Sequence, residues 1–452
     1  MRPGGQPKST PRLMHGPPWG RFKRLNAVLP RRNLPMADAV LVFAVVAAIV
    51  FLGFMGELLF RRTGVPSFLF LILMGIVLGP GFHIFSGTEL SPVLGLFAEL
   101  TLIMILFYSG LQLRLSRLTH GGRAVALVVM YFSLSMVGIT VFGRYVMHWS
   151  LLESMIFGSI IAGQTSTPVV VPLARSLKFS ADTVSLVTIE SVLNSIVGII
   201  TFLALVQIYL SPVVSFTLSL TKVAATFSIG IVPAVAFTFV WLFILERVQE
   251  QRYTYVLLLG MILVTYAGTE ALGGSGELAV FIFGLIFGNY KVLNLLRTKQ
   301  IDIDPLMARV SGIQEEIAFL LNTLFFVFLG LTFDLGLRSV FMGVTVGLLL
   351  TAGLLGARSV SVLAATAGAG PSKNRGELIL LSAQGVTQAT LAILALSYAL
   401  PLASTFLGLV SYVIIFTNLV TTIGAAWFRH RASFGFRDFM ASLQAETPGV
   451  AG

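Results

Sequence analysis

From Val40 to Phe428 the chain is a succession of apolar runs, each about 20 residues long, separated by short polar breaks. That length matches the hydrocarbon core of a bilayer. Inside lipid each run must satisfy its own backbone hydrogen bonds, which makes it a helix. The expectation is an all-α polytopic membrane protein with thirteen spans. They fall at 38–59, 66–83, 92–113, 122–146, 151–176, 181–209, 216–245, 253–271, 276–290, 312–334, 339–366, 375–399 and 403–428. Zero Cys excludes disulfides, thiolate metal sites and thiol catalysis. The five His (His15, His83, His120, His148 and His430) never pair at metal-ligand spacing. The net charge of +11 sits in loops and tails, where basic residues set orientation; it does not imply nucleic-acid binding.

Eighteen Lys and Arg lie in or beside the loops after spans 1, 3, 5, 7, 9 and 11 and in the C-terminal tail; the opposite side holds Arg144, Lys222 and Arg338. The positive-inside rule then puts the C-terminus in the cytoplasm and the N-terminus outside. Residues 1–35 contradict this with eight basic residues and no acid. The expectation is either a disordered tail or a mis-assigned start, with Met36 as the native first residue. A native protein whose intact mass begins at Met1 would exclude the second.

Two spans look interrupted. Gln164, Thr165, Ser166, Thr167 and Pro168 break the fifth, and Ser382, Gln384, Gly385, Thr387, Gln388 and Thr390 break the twelfth. Pro removes a backbone donor, and Gly and hydroxyl residues ease unwinding. Paired interruptions an odd number of spans apart are the mark of inverted repeats with a binding site between them. The bland alternative is that Pro168 kinks an ordinary helix.

Charge in the depth of a span is expensive and seldom idle. Glu190 lies mid-span in the sixth run and Arg358 mid-span in the eleventh; the two are expected to pair. Asn194 shares the face of Glu190 at i, i+4, with Ser191 and Ser195 beside it. Together with Thr165, Ser166 and Thr167 they offer hard oxygen ligands for a dehydrated cation. The competing reading is a structural Glu190–Arg358 bridge with Asn194 and the hydroxyls as interhelical glue. Glu99 is the other acid at depth. Glu270 and Glu277 are placed at span ends, and Glu316 beside Glu315 at the opening of the tenth span.

The motifs add up to a resemblance. Leu71–Pro80, Phe97–Leu111, Gly284–Asn289 and Phe325–Leu331 resemble successive helix signatures of the monovalent cation/proton antiporters, particularly the 13-helix NhaP-type sodium/proton exchangers. Glu190, Ser191 and Asn194 look like the family's Glu-Ser-x-x-Asn-Asp motif, and Arg358 like the arginine that pairs with that Glu. The departures fall at the site. The ion-binding Asp is replaced by Ser195, the Thr-Asp-Pro of the broken fifth helix by Ser166, Thr167 and Pro168, and a basic residue of the twelfth helix by Gln384. An Asp lets proton and cation compete for one site, which a Ser cannot do.

The resemblance implies a core of about 122–209 and 339–428 moving against a scaffold of about 36–113 and 216–334, which in relatives makes a homodimer. A short cytoplasmic tail covers 429–452. It also implies a prokaryotic plasma membrane, a monovalent cation (sodium or potassium) and a proton as cargo, no cofactor and no enzymatic activity. Three functions stay open. The first is cation/proton antiport with Glu190 titrating. The second is transport of another solute or an uncoupled ion. The third is a non-transporting sensor or assembly subunit.

Overall fold

A computed structural model describes residues 47–59, 67–82, 87–113, 115, 122–211, 216–248, 254–290, 304–367 and 375–445. The N-terminal tail and most of the connecting loops whose charges set the orientation lie outside them. The architecture below is that of the unit Ile49–Gly452. Among the described residues it is all-helical: α1 (Ala47–Leu59), α2 (Ser67–Ile76), α3 (Gly87–Gln112), α4 (Gly122–Tyr145), α5 (Leu151–Ile161), α6 (Thr167–Ser176), α7 (Ala181–Tyr209), α8 (Phe216–Val248), α9 (Thr254–Ala271), α10 (Gly276–Gly288), α11 (Asp304–Leu331), α12 (Leu337–Ala365), α13 (Arg375–Leu380), α14 (Val386–Ser397) and α15 (Ala403–Ala445). Six helices hold windows long and apolar enough to cross a membrane by themselves, and the remaining expected spans carry shorter apolar helices.

α2 runs on into a wider turn, Val77–Gly81, around Pro80, so the second stretch lies within the expected 66–83. Two boundaries differ from the sequence reading. α11 starts at Asp304, so Glu316 lies three turns inside it rather than at its cap, exposed on its surface. α15 continues to Ala445, well past the apolar run. Hydropathy locates where lipid can be, not where a helix stops, so polar extensions escape it.

The motif glycines are contact surfaces. A Cβ on Gly75 would lie 2.1 Å from the Val327 carbonyl, and one on Gly330 would lie 2.2 Å from that of Ile72. α2 and α11 thus touch backbone to backbone. Gly110 and Gly284 do the same for α3 and α10, at 2.3 Å from Phe281 O and Phe107 O. In lipid, where apolar surface gains nothing by leaving the solvent, such close approach is what holds helices together. Phe107, Phe283, Phe287 and Trp241 fill the space around that second contact.

Around the interruptions α4 packs on α5, α7 and α12, and α15 packs on α12 and α14. Both interruptions are real. Helix is absent from Ala162 to Ser166 and from Leu381 to Gly385, so the kinked-helix alternative for Pro168 fails. α5 is started by a capping box, Ser150 and Glu153 exchanging bonds at 2.9 and 3.2 Å. It ends at Ile161, and the chain turns away at Gly163, whose φ of +64° favours Gly; a Cβ there would sit 2.7 Å from Phe132 Cα. Pro168 then opens α6, where its missing N–H is no loss.

Candidate functional site

The two interruptions meet. The Ser166 N–H donates to the Ala383 carbonyl at 2.7 Å, and the Gln384 side-chain amide reaches the Ile161 carbonyl at 2.7 Å. Gly385 lies against the Ser166 side chain, with no room for a Cβ. Unwound backbone deep in a protein must find partners. Residues 381–385 find theirs on α15. Thr421 Oγ1 accepts from Ser382 N–H at 3.3 Å and donates to Leu380 O at 2.9 Å. Thr417 Oγ1 accepts from Gln384 N–H at 3.2 Å. Asn418 Nδ2 donates to Gln384 O at 2.7 Å. Gln388 receives the Gly385 N–H at 2.8 Å.

Beside the crossing, Glu190 and Arg358 pair as expected. Arg358 Nη1 donates to Glu190 Oε1 at 2.8 Å and Nη2 to Oε2 at 3.2 Å, with both side chains fully buried. Asn194 Nδ2 adds a third bond to Oε1 at 2.8 Å. Arg358 Nε holds the Leu378 carbonyl of α13 at 2.8 Å, and its guanidinium lies 5.2 Å from the Tyr131 ring. The fork geometry of Arg suits a carboxylate taken out of water, where a lone charge would not survive. One cluster thus ties α7, α12, α13 and α4 together.

The other expected residues are placed as follows. Thr167 Oγ1 donates to Ser191 Oγ at 3.0 Å, linking α6 to α7. Ser191 Oγ in turn donates to Thr188 O at 3.2 Å, and Ser195 donates to the Ser191 carbonyl of its own helix at 3.0 Å. Thr165 Oγ1 is buried without a protein partner. Thr387 lies on the first turn of α14, 9% exposed.

Sequence reading missed two things. The first is the role of α15: Thr417, Asn418 and Thr421 form a polar stripe in an apolar run, a signal that was legible. The second is Glu277, placed at a span end yet buried at 8% exposure. It accepts from Ser275 Oγ at 2.8 Å. Glu270 receives the Gly276 N–H at 2.7 Å, and Glu99 takes the Tyr266 hydroxyl at 2.8 Å. The three acids lie within electrostatic reach of one another, brought together by the short turn 272–275. That turn has Gly273 at φ +79°, as its glycines predict.

Comparison with known proteins gives concordant matches. A family model described as "Sodium/hydrogen exchanger, transmembrane" matches residues 44–429. The Na(+)/H(+) antiporter ApNhaP of Aphanothece halophytica is 31% identical over 273 residues, 59% of this chain and 49% of that protein. The K(+)/H(+) antiporter NhaP2 of Shewanella sp. (strain ANA-3) is 24% identical over 251 residues, 52% of this chain and 42% of the other. The matched stretch thus spans about half the length of these curated relatives. The solved structure of the sodium proton antiporter MjNhaP1 from Methanocaldococcus jannaschii superposes with a TM-score of 0.70 at 20% identity, covering 86% of this chain and 97% of that one. At that identity the likeness establishes the polytopic all-helical fold.

Proposed function

The chain belongs to the sodium/hydrogen exchanger family, and from that premise we propose that it is a secondary active transporter exchanging a monovalent cation for protons by alternating access. The observation that carries the reading is the bond from Ser166 N–H to Ala383 C=O, where two interrupted spans meet inside the protein. Irregular backbone at that depth is tolerated where it lines a binding site. The names of the relatives, antiporters of Na(+) or K(+) against H(+), support the cargo. In this reading Thr165, Ser166, Thr167, Ser191, Asn194 and Ser195 supply the cation's oxygens. Glu190 carries the proton, because it is the carboxylate beside the crossing.

The moving part is the body of α4–α7 and α12–α15, displaced against α1–α3 and α8–α11. In support, α4 contacts α5, α7 and α12, and α3 and α10 are locked by backbone contact. The scaffold is the face for a homodimer. The termini take the orientation of the loop charges, with the N-terminus outside and the C-terminus in the cytoplasm of a prokaryotic cell.

A second reading is favoured by one specific observation. Both oxygens of Glu190 are committed to Arg358, and Oε1 also to Asn194. A carboxylate so held serves as a structural partner of Arg358, and the position where the family carries its Asp is Ser195. The same fold would then move the cation without obligatory proton exchange.

Proteoliposomes loaded with sodium, potassium or lithium, with internal pH recorded, separate the two. Antiport predicts pH-driven cation movement that Glu190→Gln abolishes; exchange that persists unchanged in Glu190→Gln rules out Glu190 as the proton carrier. Cation flux without proton movement, which becomes proton-coupled in Ser195→Asp, establishes the second reading.

A further inference from the structure

Five carboxamides lie at the crossing. Gln388 spends its oxygen on the Gly385 N–H. The other four, Gln164, Asn194, Gln384 and Asn418, are fully buried, and each donates through nitrogen and leaves its oxygen without a hydrogen bond. Gln164 Nε2 donates to Ser159 O at 2.8 Å and Ile160 O at 3.0 Å. Gln384 Nε2 donates to Ile161 O, and Asn194 Nδ2 to Glu190 Oε1. Asn418 Nδ2 donates to Gln384 O and to Ile414 O, both at 2.7 Å. These partners are carbonyls and a carboxylate, which only accept. Turning any amide round would set oxygen against oxygen, so the direction of each free oxygen is dictated by its neighbours.

The four are contiguous. Gln164 packs so closely on α7 that a Cβ at Gly198 would lie 2.1 Å from its nitrogen, and Gly198 is one turn beyond Asn194. Gln164 and Gln384 hold adjacent carbonyls at the end of α5. Asn418 holds the Gln384 backbone. The hydroxyls of Thr165 and Ser382, also buried and without a protein partner, belong to the same two interruptions. A buried acceptor that accepts nothing is rare in a folded protein. Six on or beside the two interruptions, all oxygen, are available as a ligand set.

We propose that this meeting point is a carboxylate-free site for a dehydrated monovalent cation, with the amide oxygens of Gln164, Gln384 and Asn194 as its principal ligands and Asn418, Thr165 and Ser382 completing the shell. Neutral oxygens in number replace the hydration shell of such an ion. An anion would meet the lone pairs of four amide oxygens, with only the two hydroxyls able to donate to it. The neighbouring charges, Glu190 and Arg358, neutralise each other, so the site itself carries no net charge. The inference rests on the reading of the chain as a cation transporter; it keeps Asn194 and Thr165 from that reading and adds Gln164, Gln384, Asn418 and Ser382.

The test is equilibrium binding of radiolabelled sodium and rubidium to the purified full-length protein in detergent, with choline holding ionic strength constant. Native protein binds saturably. Thr165→Val and Ser382→Ala remove no protein hydrogen bond, so they leave unfolding unchanged or slightly later; each weakens binding roughly fivefold to tenfold. Native-like affinity in both Thr165→Val and Ser382→Ala overturns the proposal and leaves the oxygens to water, whether or not the protein exchanges ions. Altered binding in these variants without flux in proteoliposomes sinks the transport reading and leaves the site standing.

Discussion

Replacing Arg358 with Met removes a guanidinium that makes two bonds to Glu190 and one to the Leu378 carbonyl, all in full burial. Met fills most of the volume, so the packing loss is small. The carboxylate of Glu190 is left with Asn194 alone, and Leu378 O loses its partner. An uncompensated buried charge costs about 3–5 kcal/mol when its partner is deleted. An orphaned carbonyl adds about 1–3 kcal/mol. Glu190→Gln alone should cost a similar amount, since it strands the guanidinium. The double variant, Glu190→Gln with Arg358→Met, contains neither charge and should recover most of the loss, leaving a coupling energy of about 2–4 kcal/mol. Unfolding free energies in mixed micelles of mild detergent and dodecyl sulfate provide the double-mutant cycle. Losses that simply add, or an Arg358→Met variant within about 1 kcal/mol of native, would show that the pair does not hold α7 to α12.

Gly163→Ala sets a Cβ at 2.7 Å from the Phe132 backbone and at a φ of +64°; it should abolish accumulation of folded protein in membranes, and normal expression and melting would contradict the account. Thr421→Val removes one of two acceptors of Ser382 N–H, which also reaches Leu380 O at 2.9 Å, and the hydroxyl that donates to Leu380 O. It should destabilise by about 1–3 kcal/mol and raise amide exchange selectively at 381–385, read by mass spectrometry. Tyr266→Phe removes the one hydroxyl bonded to Glu99; a loss of about 1–2 kcal/mol is expected, with cation binding at the crossing unchanged.

The positions of the apolar helices, six of them long enough to cross a membrane among the described residues, were legible because lipid admits only one backbone solution. The pairing of Glu190 with Arg358 was legible for the same reason: two deep charges of opposite sign have few alternatives to each other. The breaks at Gln164–Pro168 and Ser382–Thr390 announced themselves as polar stretches in apolar runs. Other features were not visible in this way. Glu277 reads as a harmless end-of-span acid, and its burial depends on how the turn at 272–275 folds α10 back beside α9 and α3. The helical extensions of α11 and α15 continue in polar sequence, where hydropathy is silent. That the Ser195 hydroxyl donates to the Ser191 carbonyl of its own helix was not legible either.

Local chemistry thus prescribed the helices, their interruptions and the ion pair, since each follows from the expense of a bare backbone or a bare charge in hydrocarbon. Which way four amides turn was left to the assembled protein. An Asn or Gln can present either end, and nothing in the order of residues says which. Only when carbonyls of α5, α15 and residue 384, and the carboxylate on α7, come together do they claim these four amide nitrogens and leave the oxygens without a partner.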